Sequence, residues 1–159
     1  MLLREALRIQ RGEVVSFVGA GGKTSALFRL AGELRQAGWR VLATTTTRVA
    51  TYEVAQAPCA IEVTASLPIT RIRERLTRHG FVFLYAAGDA QQHKIIGLPL
   101  PQIGDLIDRV NSDVLLIEAD GARRLPFKVP RDHEPVIPPE TTLVVPVAGA
   151  DALDQPLDE

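Results

Sequence analysis

Cysteine is almost missing from this chain: Cys59 is the only one in 159 residues. A single thiol excludes an internal disulfide framework and a thiolate zinc site. Net charge is almost missing as well. Lysine and arginine number 18 against 19 acids, leaving −1, so no global field recruits nucleic acid or an anionic membrane. No apolar run is long enough to span a bilayer, and Met1-Leu2-Leu3-Arg4-Glu5-Ala6 carries charge too early for a signal peptide. Low-complexity tracts are absent, and a hydrophobic share of 46% is ordinary for a globular protein. These absences lead to an expectation of one soluble, cytoplasmic domain over residues 1–159.

What is there begins at Val14-Val15-Ser16-Phe17-Val18, an apolar run that enters Gly19-Ala20-Gly21-Gly22-Lys23-Thr24-Ser25. A strand, a glycine turn and a helix in that order form a phosphate cradle. Side-chain-free residues let backbone N–H groups converge on phosphate oxygens, and the helix adds the positive end of its dipole. Lys23 would meet the terminal phosphates as a point charge, and the Thr24 hydroxyl would ligate Mg²⁺. The usual first glycine falls at Phe17, so this is the shorter Gly-x-x-Gly-Lys-Thr form. The bland reading is a strand–turn–helix corner with a chance lysine. A dinucleotide fold is the chemical rival, since Gly19-x-Gly21 opens like its fingerprint. Its third glycine would be Thr24, however, and no acid for a ribose occurs between Glu33 and Glu53.

Strands and helices alternate along the chain. The pattern predicts strands at 14–18, 40–44, 60–64, 81–86, 113–117 and 141–147. A helix bearing Leu27, Leu30, Ala31 and Leu34 ends at Gly38; another bearing Ile69, Ile72 and Leu76 ends near Gly80; a third bears Ile103, Leu106, Ile107 and Val110. This βαβ logic predicts an α/β, P-loop NTPase-like three-layer fold with a mainly parallel sheet. Ligands of such folds sit outside the carboxyl ends of the strands.

Three further segments leave strands at that end. Thr44-Thr45-Thr46-Thr47-Arg48 offers hydroxyls and a guanidinium, although threonine also simply favours strands. Glu118-Ala-Asp120-Gly121 closes a Val/Leu/Ile strand with two acids, as a Mg²⁺–nucleotide site needs, unless Asp120 merely caps a turn. The loop from Gly121 to Pro135 packs Arg123, Arg124, Lys128, Arg131 and His133 with Asp132 and Glu134, stiffened by prolines. Cations beside an acidic strand end suit a second anionic substrate or the charge of phosphoryl transfer, and an ordinary solvated loop is the alternative. His133 and Glu134, being adjacent, point apart and make a weak acid–base pair. Arg71, Arg73, Arg75 and Arg78 read as a solvated helix face, His79 as a helix C-terminal cation, Gln91-Gln92-His93-Lys94 as a surface loop, and Cys59 as an apolar filler.

The site expected from these segments has Gly19, Ala20, Gly21, Gly22, Lys23, Thr24 and Ser25 cradling the phosphates of ATP or GTP. Thr24 and Glu118 hold Mg²⁺. Lys23, Asp120 and Arg48 take catalytic parts, and Thr46, Thr47, Lys128, Arg131 and His133 meet substrate. No Asn/Thr-Lys-x-Asp guanine reader occurs, which leans towards ATP.

Taken together, Gly19-Ala-Gly-Gly-Lys-Thr-Ser25, Thr44-Thr-Thr-Thr-Arg48, Glu118-Ala-Asp-Gly-Ala122 and Lys128-Val-Pro with Asp132-His-Glu-Pro-Val136-Ile-Pro resemble the YqeC-type accessory proteins of selenium-dependent molybdenum hydroxylases. The resemblance implies a prokaryotic, cytoplasmic, P-loop-like protein that helps mature a selenium-containing molybdenum cofactor, with a molybdenum hydroxylase as partner. It also implies that the chain continues past the segment Gly149 to Glu159, so that a C-terminal part of the fold is missing here. The short loop is similar to that of the amide-forming Mur ligases in phosphate binding alone. Nucleotide hydrolysis or phosphoryl transfer coupled to cofactor modification is the leading expectation. A non-catalytic carrier of a phosphorylated pterin, or a small-molecule kinase, keeps the same loop.

Overall fold

The computed structural model describes residues 1–64, 66–122 and 125–154. In chain order the elements are α1 (Leu3–Ala6), β1 (Glu13–Gly19), α2 (Lys23–Gln36), β2 (Val41–Thr45), β3 (Arg48–Ala50), α3 (Thr51–Val54) and β4 (Ala60–Glu62). Then follow α4 (Ile69–His79), β5 (Phe81–Tyr85), β6 (Ala87–Asp89), β7 (Lys94–Ile96), α5 (Leu100–Arg109), β8 (Val114–Glu118), β9 (Leu143–Val147) and a 3₁₀ turn at Ala150–Ala152.

Six strands form the main sheet in the order β4-β5-β2-β8-β1-β9, and every pairing is parallel. Parallel strands covered on both faces need continuous apolar runs; β2, β8 and most of β1 and β5 are buried residue after residue. One face carries Leu27, Leu30, Ala31 and Leu34 of α2 against Val15, Phe17, Val41 and Leu116. The other carries Ile72 and Leu76 of α4 with Ile103 and Leu106 of α5 against Leu42, Val82, Leu115 and Ile117. Burying each of the larger of these side chains, Val, Leu, Ile or Phe, contributes about 1.5–3 kcal/mol relative to leaving it in water. The chain is therefore an α/β protein with helices on both faces of a mainly parallel sheet. No helix among the described residues is long and apolar enough to cross a membrane.

Strand ends move by a residue or two from expectation. β2 and β8 start one residue late, β4 stops at Glu62, and β9 starts at Leu143 because Thr142 uses its hydroxyl to accept the Val14 amide at 3.0 Å. β9 is an edge strand, paired with β1 alone among the described residues, and it carries Pro146 opposite Val18. The amino ends of β2 and β8 are tied by Asp113, which accepts the Arg40 amide at 2.7 Å and pairs with the Arg40 and Arg11 guanidiniums. Burial would raise the Asp113 carboxyl, but those donors hold it down at about 2.

A second, three-stranded antiparallel sheet, β3-β7-β6, was not expected. Gln91 to Lys94, read as surface loop, are its hairpin: His93 takes φ 50° at the turn and Lys94 opens β7. Arg73 of the basic α4 face does have a partner, donating to the Arg109 carbonyl at the end of α5. Residues 126–139 contain no helix or strand, as their prolines require. Arg123, Arg124 and the last five residues, 155–159, lie outside the described residues.

Candidate phosphate-binding site at the carboxyl end of the sheet

β1 delivers the glycine loop at the carboxyl edge of the sheet, between β8 and β9. Gly19 has φ 101°, and a Cβ there would run into the Val147 carbonyl, so only glycine fits this corner. Gly22, with φ 98°, precedes the first helical residue, and α2 has no side-chain N-cap and no acid in its first turn. The helix itself therefore supplies no acid to its positive dipole end.

The amides of the loop divide into two groups. Gly19 donates to Asp120 Oδ2 at 2.8 Å and Ala20 to the Val147 carbonyl at 2.8 Å, which fixes the start of the loop. The next five amides, from Gly21 to Ser25, donate to no acceptor among the described residues, and intrahelical bonding resumes with Ala26 to Gly22 at 2.8 Å. Consecutive unsatisfied N–H groups at an αL–αR junction form an anion nest.

Lys23 does not stand above the loop as expected. Its side chain is 1% exposed and folds back beneath the loop, donating to the Gly19 carbonyl at 2.9 Å and the Ala20 carbonyl at 3.1 Å. Its ammonium also lies 3.0 Å from Asp120 Oδ1. That contact is ionic without hydrogen-bond geometry, since Oδ1 has no hydrogen-bond partner among the described residues. The physical reason is burial: an ammonium taken out of water needs a counter-charge, and Asp120, fully buried, supplies it.

Asp120 is shared. Its Oδ2 lies 3.3 Å from Lys128 Nζ, and Lys128 also donates to the Gly121 carbonyl and to Glu134 Oε2 at 2.8 Å. Lys23 and Lys128 thus face Asp120 and Glu134, two ammoniums against two carboxylates. Lys128, expected at the substrate, is instead 8% exposed and draws the proline loop onto the glycine loop.

The expected metal pair is brought together. Thr24 Oγ1 donates to Glu118 Oε2 at 2.8 Å. Burial pushes the Glu118 carboxyl up to about 7, against the lowering effects of Thr24 and Lys23. One carboxylate and one hydroxyl suit Mg²⁺, which takes its remaining ligands from phosphate and water. Among the described residues no group of three or more His, Cys, Asp and Glu forms a metal cluster.

Other expected residues lie elsewhere or serve the fold. Thr45 donates to the Glu118 carbonyl at 2.9 Å and Thr46 to the Val136 carbonyl at 2.9 Å, so this run stitches β2 to β8 and to the proline loop. Thr47 gives its amide to the Thr45 hydroxyl at 3.0 Å. Arg48 is exposed on β3 and donates to Gln92 Oε1 at 3.2 Å; it is not in the Lys23–Asp120 cluster. Arg131 and His133 are exposed on the proline loop; the Arg131 carbonyl accepts the Glu134 amide at 2.9 Å, and among the described residues neither side chain has a hydrogen bond or ion pair to the cluster. Sequence reasoning missed Glu134 as the second carboxylate; its only signal was its place six residues after Lys128 in the same loop.

Fold and loop together define an α/β protein with a mainly parallel sheet and a glycine-rich turn aimed out of its carboxyl edge. Comparison with known proteins narrows this further. The YqeC protein family model matches residues 15–159. The chain is similar to "Uncharacterized protein YqeC" of Escherichia coli (strain K12), with 39% identity over 144 residues. That alignment covers 91% of the chain and 54% of the relative, so the chain spans about half the length of the curated relative it matches. The chain belongs to the YqeC family.

Proposed function

We propose that this protein binds a nucleoside triphosphate with Mg²⁺ at the glycine loop, with ATP favoured, in a P-loop-like manner. It would hydrolyse the nucleotide or transfer its phosphate. The single observation that supports this reading best is the run of five unbonded amides, Gly21 to Ser25, beside the Thr24–Glu118 contact of 2.8 Å. The amides supply donors for phosphate oxygens, and α2 adds its dipole. Thr24 and Glu118 would hold the metal, whose chemistry is charge neutralisation on the phosphates. Lys23 would contribute its charge from below the loop.

The pathway part of the proposal comes from the four family motifs: accessory work in maturing the molybdenum cofactor of selenium-dependent hydroxylases. Cofactor phosphate is also an anion suited to such a nest, so the carrier reading uses the same amides.

Calorimetric titration with ATP and GTP, with and without Mg²⁺, tests the proposal. Micromolar or tighter binding that Mg²⁺ strengthens and Lys23→Ala weakens is the expected result. No heat with either nucleotide on folded protein ends the proposal. Phosphate release in a coupled assay separates enzyme from carrier, since a carrier binds without turnover.

A further inference from the structure

The two faces of β9 are treated differently by the rest of the chain. Leu143 and Val145 stand opposite Val15 and Phe17 of β1 and pack, half-buried, into the core under α2. Val144 and Pro146 stand opposite Ser16 and Val18, on the face that carries α4 and α5, and both are exposed. Helices α4 and α5 bury Leu42, Val82, Leu115 and Ile117 of β2, β5 and β8, but neither Val144 nor Pro146 belongs to that core. A parallel sheet is ordinarily covered on both faces, so this strip lacks its cover among the described residues.

The bare strip continues into the proline loop. Val18, Phe127, Pro130, Pro135 and Pro146 meet around one dent of about 270 Å³, and Val144 lies two residues from Pro146 on the same face. Five of the eight large apolar side chains exposed among the described residues fall in this part of the chain: Leu125, Phe127, Val129, Val144 and Leu153. Single exposed apolar residues need no explanation, but a contiguous patch marks a place where something docks. Length points to the occupant. The aligned region is only 54% of the E. coli relative, so nearly half of that protein is polypeptide without a counterpart in the alignment.

We propose that the flank formed by Val144, Pro146 and Phe127 is the seat of a helix from that unmatched half, which lays an apolar stripe across β9 wherever one chain carries both parts. Helices already cover the rest of this face, and a helix is what a parallel sheet ordinarily takes there. Gly19 and Ala20 also line the dent, so the seated helix borders the glycine loop and walls it on the β9 side. The proposal does not rest on nucleotide binding.

Carbene footprinting of this chain and of the whole E. coli relative, with sedimentation run in parallel, tests this. In this chain the peptides holding residues 125–129 and 144–146 should label heavily. The aligned peptides of the relative should label several-fold less, while those aligned with Tyr52 and Ile96, exposed elsewhere, should label alike in both. Val144→Lys is the second arm. Lysine suits an exposed edge strand, so this chain should melt as the native one does. The matching lysine in the relative should lower its melting temperature by several degrees and restore labelling of the flank. Equal labelling of the flank in both proteins overturns the proposal, as does a lysine variant of the relative as stable as its parent. Poor labelling of the flank in this chain overturns it too, and a dimer in sedimentation would then make a second copy the occupant. A shielded flank in the relative beside a failed ATP titration upholds this seat and removes the nucleotide reading.

Discussion

Lys23 and Asp120 form an ion pair sealed from solvent, with Nζ 3.0 Å from Oδ1 and the two side chains 1% and 0% exposed. The pair joins the first helical residue of α2 to the exit of β8, so the phosphate loop and the acidic strand end are one electrostatic unit. Any anion that recruits the lysine must compete with a carboxylate already beside it.

Asymmetry is the first consequence. Asp120→Ala leaves Lys23 with backbone carbonyls alone and deprives Lys128 and the Gly19 amide of an acceptor. A buried charge that loses its partner costs roughly 3–5 kcal/mol. Lys23→Met should cost less, because Asp120 keeps Lys128 and Gly19 as partners. Urea unfolding of both variants decides the matter; equal losses, or the reverse order, would show that Asp120 is not the shared hub.

Thr24→Val removes the hydroxyl that Glu118 accepts at 2.8 Å while keeping the shape. Loss of this hydrogen bond should lower stability by only about 1–2 kcal/mol. The Mg²⁺-dependent part of nucleotide affinity should fall by about tenfold or more, the ratio that 1.4 kcal/mol of lost binding gives. Thr24→Ser should restore it. Affinity in Thr24→Val that still rises with Mg²⁺ as in the native chain would count against the metal assignment.

The pH dependence follows from Glu118. Burial raises its carboxyl from 4.5 to about 7, so the folded chain keeps a proton that the unfolded chain has released. Its contribution to stability is whole below 4.5 and is lost as pH rises through about 7. Metal binding runs the other way, since Mg²⁺ needs the carboxylate. Nucleotide affinity measured with Mg²⁺ should climb through neutrality, and Glu118→Gln should flatten the profile. A profile unchanged in that variant assigns the titration to another group.

Gly19→Ala should be far more damaging than its one methyl suggests. The positive φ disfavours any side chain by about 1–2 kcal/mol, and the new Cβ meets the Val147 carbonyl, which the Ala20 amide holds. The loop can relieve the clash only by parting from β9. Thermal unfolding should drop by several degrees and phosphate binding should fail with it; an alanine variant as stable as the native chain refutes this corner's geometry.

Arg48→Ala separates two accounts of that residue. Its exposed contact with Gln92 predicts a stability change within about 0.5 kcal/mol and unaltered nucleotide affinity. A large fall in turnover would instead restore the catalytic part expected from the threonine run.

Much of the frame was written in local patterns. The apolar runs of β1, β2 and β8 and the i, i+3, i+4 spacing of Leu27, Leu30, Ala31 and Leu34 are signals short enough to read in a window. The Thr24–Glu118 contact was legible because each residue sits at a fixed offset from a readable element. The small sheet was not, because β3, β6 and β7 are three residues each and pair across sequence separations of up to 48 residues, as in Arg48 with Ile96. The direction taken by Lys23 was also hidden. Its neighbours in sequence are glycines and threonine, and the carboxylate that turns it inward arrives ninety-seven residues later, at Asp120. Arg48 misled because a strand exit in the main sheet doubles as the entry to another.

Pro146 gives the outer border of the sheet a particular character. Lying on β9, whose far side has no strand among the described residues, it removes one N–H from the row of donors that another chain would need in order to zip onto this flank. A rung is missing from the ladder at that point, which guards the molecule against growing into a cross-molecular ribbon during synthesis and storage.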